Sequence, residues 1–128
     1  MERSRLMDLD ELLFDPPHLG VPHGANAFGQ ASSERAGFVR IYLRVADGVV
    51  RDAGFLTDFG AAGLACGSLV CGALHGAPPH DAASLRPNDL LARCPGLDAT
   101  AGRIMRFCLL AARRASIMAE RETADAGS

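Results

Sequence analysis

The sequence predicts an α+β domain in which a small antiparallel sheet of two or three strands is packed on one face by helices. Three observations carry this. Val39, Ile41, Leu43 and Val45 alternate with Arg40, Tyr42 and Arg44, the two-residue period of a strand with one apolar and one solvated face. Asp47-Gly48 follows at once, a pair that tolerates the positive φ of a tight hairpin, and residues 49–56 supply the return strand. Downstream, residues 61–74 and the stripe Ile104, Cys108, Ala111, Ala115 and Met118 are apolar stretches of helical character.

From the N-terminus, Leu6, Leu9, Leu12 and Leu13 fall at helical spacing among Arg5, Asp8, Asp10 and Glu11. They predict a short amphipathic helix within residues 1–14 that stops before Pro16-Pro17. Residues 15–36 are rich in Pro, Gly, Ser and Asn and read as loop, with residues 28–33 available as an edge strand. The hairpin comes next. Within residues 61–74, Ala62, Gly63, Ala65, Gly67 and Gly72 let a helix approach its neighbours closely. Each interior glycine costs a helix about 1 kcal/mol, so tertiary packing has to offset it and the helix must be buried. Gly76 suits its C-terminal cap, and Ala77-Pro78-Pro79 prevents continuation. Residues 84–92 hold a short helix after Arg86-Pro87, Cys94-Pro95-Gly96 is a break, and Asp98 is the expected N-cap of the last long helix. Beyond it, residues 120–128 have little to bury and are expected to form a flexible tail.

One core accounts for a chain of 128 residues, which at that size buries roughly two thirds of the surface its unfolded form exposes. Hydrophobic residues make up 48% of the sequence but aromatics only 5%, so the core has to be built from Ala, Val, Leu and Gly with backbones close together. A formal net charge of −2 gives no field for nucleic acid or an anionic membrane, and neither is expected as a partner. No stretch reaches the ~20 apolar residues of a membrane span, and the first residues carry no apolar run of signal-peptide length; a cytoplasmic protein is expected. Cys66, Cys71, Cys94 and Cys108 are too irregularly spaced for a secreted disulfide framework and form no C-x-x-C pair, so they are read as reduced thiols. No Ser-His-Asp set, paired catalytic carboxylates or phosphate-binding glycine loop can be assembled, and the chain is not expected to be an enzyme.

Ala36-Gly37-Phe38 stands directly before the hairpin, and Phe55-Leu56-Thr57 leads into Phe59-Gly60-Ala61-Ala62-Gly63-Leu64-Ala65-Cys66-Gly67-Ser68-Leu69-Val70. Pro17-His18-Leu19-Gly20 lies upstream, and Phe107-Cys108 falls on the stripe of the last helix. In this order, with no gap in register, these stretches resemble the NifU-like (IscU-type) iron–sulfur cluster assembly scaffold family, as a domain spanning residues 15–119. The resemblance implies a role as cluster scaffold, a bound iron–sulfur cluster or iron, and protein partners from the assembly machinery such as a cysteine desulfurase. The family places Cys-Gly-Asp before the hairpin, a second Cys at the start of the buried helix, and a third early in the C-terminal helix, often after a His. Carried over, the first cysteine is Ala36, the aspartate Phe38, the second cysteine Gly60 and the histidine Phe107. Only Cys108 matches, so the implied metal ligand is Cys108 alone, with two of the three cysteines replaced.

A [2Fe–2S] cluster takes four strong donors, usually thiolates. Near Gly60 the one residue able to contribute is Asp58. Cys66 and Cys71 lie roughly 140° apart on a helical wheel and cannot face one metal together, so they are read as core thiols. Cys94 stands beside Pro95 in an expected loop, where exposure and a pairing with Cys108 are both open, and zinc there would draw on His75 or His80. His18 and His23, like His75 and His80 otherwise, sit in polar or turn segments and read as solvated or hydrogen-bonded. Arg103, Arg106, Arg113 and Arg114 form either a solvated helix face or a docking face for an acidic partner. Three functions follow: a cluster assembly scaffold or, failing ligands, a binder of the assembly machinery; a metal-free protein-binding module derived from the fold; and a thiol or zinc protein using Cys94 and Cys108.

Overall fold

The hairpin organises the structure. In the computed structural model, which describes residues 6–35 and 37–127 and side chains through Glu122, β2 (Gly37–Ala46) turns into β3 (Val49–Thr57) through Asp47 at φ 55° and Gly48 at φ 78°. Two successive positive-φ residues make the type I′ turn, whose twist matches that of the flanking strands. Val39, Ile41 and Leu43 are fully buried, and a bulge between Arg44 and Val45 shifts the register, leaving Val45 only half-buried. β1 (Ala27–Ser33) joins antiparallel to β2, from Ala27 opposite Leu43 to Ser33 opposite Gly37, which gives three strands in the order β1-β2-β3.

Helices cover the inner face. α2 (Ala61–Leu74) lies beneath β3, where a Cβ at Gly67 would collide with the ring of Phe55. α4 (Ala99–Gly127) runs under β1 and β2 and against α2. A Cβ at Gly29 would strike the carbonyl oxygen of Ala111 and the amide nitrogen of Ala115, so strand and helix backbones are in direct contact there. Asp98 caps α4, its carboxylate accepting from the Ala101 N–H at 3.3 Å. The helix continues to Gly127, past the Glu120 where the sequence suggested a tail. A 3₁₀ helix (Pro79–Ser84) and the short α3 (Pro87–Leu91) connect α2 to α4. α1 (Leu9–Phe14) starts later than its leucine spacing implies, because the Asp8 carboxylate accepts from the Asp10 N–H at 2.9 Å and fixes the first turn; Leu6 is left outside and exposed.

Both edges of the sheet are met by other parts of the chain. Along β3, the Phe55 N–H donates to the His18 carbonyl at 3.0 Å and the Gly20 N–H to the Phe55 carbonyl at 2.8 Å. Along β1, Arg114 Nη1 donates to the Gln30 carbonyl at 2.7 Å, and the Phe28 N–H reaches Met118 Sδ at 3.4 Å. No helix among the described residues is long and apolar enough to cross a membrane.

Candidate functional site

Three elements meet at one pole of the domain: the start of β2, the junction between β3 and α2, and α4. Thr57 Oγ1 donates to the Phe38 carbonyl at 2.7 Å and accepts from the Phe59 N–H at 3.1 Å. Asp58 Oδ1 accepts from the Phe38 N–H at 2.6 Å, and the Asp58 N–H returns a bond to the Phe38 carbonyl at 3.2 Å. This clamp leaves room only for glycine at position 37, whose Cβ would collide with Asp58 Oδ1. On the other side of the junction the ring of Phe59 packs on that of Phe107, with centroids 5.4 Å apart and planes 30° apart.

These are the neighbours of the positions at which the resemblance puts the ligands. Phe38, Gly60 and Phe107 belong to this pole; Cys108, the residue after Phe107, is buried in the core with Cys66 and Cys71 acting on it, and Ala36 lies outside the described residues. Phe38 and Phe107 offer no donor atoms. Gly60, the N-cap of α2, has φ 80° and ψ −154°, a conformation that a residue with a Cβ adopts only under strain. Asp58, the nearest carboxylate, has Oδ1 engaged by the Phe38 amide.

Cys108 is fully buried, and burial, with Cys66 and Cys71 adding to it, holds its thiol well above the ordinary value of 9.0. Cys66 is pushed up to about 12 by burial and then by Cys94, and its Sγ lies 3.5 Å from the Ala101 carbonyl. Cys71 is raised by burial and then by Asp52, and Cys94 by burial and then by Asp8. The thiolate, not the thiol, ligates metal, so with no metal present burial keeps all four as neutral core thiols, and a metal would have to displace the proton. All four are free cysteines.

Cys94, for which exposure was open, is fully buried. The N-terminal segment closes beside it, with the Met7 N–H bonded to the Arg93 carbonyl at 2.7 Å, and the Cys94 N–H turns inward to the Leu91 carbonyl at 3.1 Å. His75 packs edge-on against His18 with centroids 5.7 Å apart, and His80 is exposed beside Asp81. Among the described residues no three His, Cys, Asp or Glu side chains converge as a metal site, which removes support for zinc at Cys94 and Cys108. Of the four arginines singled out on α4, all exposed, Arg114 donates to the Gln30 carbonyl of β1, while Arg103, Arg106 and Arg113 make no such side-chain bond.

The Asp58 clamp and the Phe59–Phe107 stack were missed from the sequence. The available signal was an aromatic beside Gly60 and another beside Cys108 in a chain with only 6 Phe.

Comparison with known proteins bears on the family and the fold. The family model of the NifU-like N terminal domain matches residues 4–119. A nitrogen fixation protein NifU from Cereibacter sphaeroides is 34% identical over 90 residues, which cover 70% of this chain. This chain spans only 37% of that relative's length. Among solved structures, an N-terminal nitrogen-fixing NifU-like protein from Brucella abortus aligns with TM-score 0.51 at 22% identity, covering 91% of this chain and 87% of that one. A putative iron–sulfur cluster assembly scaffold protein for the SUF system from Fervidobacterium islandicum AW-1 aligns with TM-score 0.56 at 13% identity, covering 86% and 91%. The two structures share the fold, and the match over residues 4–119 establishes that the chain belongs to the NifU-like N-terminal domain family.

Proposed function

We propose that this chain serves iron–sulfur cluster assembly in the cytoplasm, as a non-enzymatic component that presents the scaffold fold to the assembly machinery, a cysteine desulfurase included. The observation that carries this reading is the family match over residues 4–119 on an intact three-stranded fold. The names of its relatives, a NifU and a putative assembly scaffold, support the same process.

The pole itself does not fit a cluster held by this chain's own side chains. Four donors are wanted, and the positions the family uses offer one thiol, that of Cys108, which is buried in the core. Phe59 and Phe107 fill the surrounding space, and Gly60 has a backbone that disfavours a side chain. Cluster chemistry in this assembly therefore uses ligands from a partner, and this chain contributes surface and shape.

Two measurements test the reading together. Purified without oxygen and incubated with ferrous iron and sulfide, the chain is expected to lose its iron on desalting, with Cys108→Ser indistinguishable from the parent. In calorimetry a cysteine desulfurase of the assembly type is expected to bind it saturably. Stoichiometric iron that survives desalting and disappears in Cys108→Ser would show a ligand set centred on Cys108. Absence of any desulfurase binding would remove the docking role.

A further inference from the structure

A second surface, lined by residues other than those of the pole clamp, has chemistry of its own. Between the segment leading into α3 and the outer side of α4 runs a groove of about 700 Å³ whose walls include Leu85, Arg86, Pro87, Asp89, Arg106 and Arg113. The arginines come from two elements. Arg86 is the residue before α3, and Arg106 and Arg113 are seven residues apart on α4, two turns and roughly 10 Å along one face at 1.5 Å per residue.

All three arginines are exposed, and among the described residues none of their guanidinium groups has an ion-pair or hydrogen-bond partner. Arg114, one residue further along α4, shows the contrast: its guanidinium is spent on the Gln30 carbonyl. Asp89 is the one carboxylate in the groove wall and makes no ion pair with a described residue, so the groove keeps an excess of two positive charges in a chain whose formal net charge is −2. Leu85 and Pro87, both half-buried, add an apolar strip beside the guanidinium groups.

We infer that this groove is a docking site for an acidic peptide segment of a partner protein, its carboxylates taken by Arg86, Arg106 and Arg113 and its apolar side chains by Leu85 and Pro87. The guanidinium fork matches a carboxylate at two points, which gives orientation as well as attraction. A dense polyanion such as nucleic acid is the poorer occupant. It would meet Asp89 inside the groove and an overall acidic chain around it, and it would leave the apolar strip unused. The inference does not depend on any cluster chemistry.

The test is a titration of the full chain with a fluorescein-labelled heptapeptide of alternating glutamate and leucine at about 50 mM salt, where exposed charges are only partly screened. Saturable binding is expected, with amide shift changes confined to residues 83–89 and the Arg106 and Arg113 face of α4. The double charge reversal Arg106→Glu/Arg113→Glu is expected to weaken binding by about tenfold or more, and Arg51→Glu, on the hairpin, to leave it unchanged. Should the reversal fail to fold, Arg106→Gln/Arg113→Gln is expected to give the same ordering with a smaller loss. No saturable binding, shifts elsewhere, indifference to both double variants, or preference for single-stranded DNA or polyphosphate over the peptide at equal charge would each overturn the proposal.

Discussion

Asp58 is tied at two points to the backbone of Phe38, accepting its N–H and donating to its carbonyl. A carboxylate accepting a backbone N–H is a charge-assisted bond, but Asp58 is exposed and solvent weakens it. Asp58→Ala is therefore expected to cost about 1 kcal/mol, read by urea denaturation, with faster hydrogen exchange at the Phe38 amide. The sequence had singled out Asp58 as the one nearby residue able to help a metal. It reports that a carboxylate is present, and it does not report that the start of β2 turns the Phe38 amide toward it. The thiols give a second residue-scale expectation, whose sign follows from proton binding. The unfolded chain carries thiols of ordinary acidity near 9.0, whereas Cys66 in the fold titrates at about 12. The stabilisation that the buried thiol provides is complete below about pH 9 and is lost as pH rises toward 12, by up to about 1.4 kcal/mol per pH unit per thiol. Denaturation midpoints are thus expected to fall between about pH 8 and pH 10, and Cys66→Ala to flatten that slope.

At the scale of elements, β1 and α4 are joined by backbone contact at Gly29 rather than by large side chains. Gly29→Ala is expected to push α4 from the strand and cost about 1–3 kcal/mol, the range for overpacking, seen as a lowered melting temperature with the fold retained. The same smallness explains why this strand was only weakly legible. Its inward residues are Ala27, Gly29 and Ala31, all buried, and a face made of alanine and glycine carries no hydrophobic period to read. The hairpin was plain because Val39, Ile41 and Leu43 do carry that period. α2 was read at its full length, since a run of small and apolar residues bounded by Gly60 and the prolines leaves little freedom. The end of α4 was not: Glu120, Arg121 and Glu122 bury little, yet they are good helix formers with no proline among them, and local propensity carries the backbone on to Gly127.

For the whole molecule, the fold class and the family were legible because hairpin, buried helix and final stripe come in a fixed order. The candidate site was legible as a set of positions and not as contents. Matching along the chain places Phe38, Gly60 and Phe107 at one pole, but that the rings of Phe59 and Phe107 meet there is a fact of tertiary packing between α4 and the β3–α2 junction. The burial of Cys94 was hidden in the same way, since the segment that closes beside it comes from the far end of the chain. The edges of the sheet bear on how anything recognises this protein. β-Augmentation, in which an incoming peptide lengthens a sheet by one strand, needs a row of unspent amides and carbonyls. Here His18 and Gly20 have taken the amide and carbonyl of Phe55, Arg114 has taken the carbonyl of Gln30, and Met118 faces the amide of Phe28. At these points a visitor must read side chains, and a code written in side chains can be rewritten by single substitutions while the backbone beneath it stays as it is.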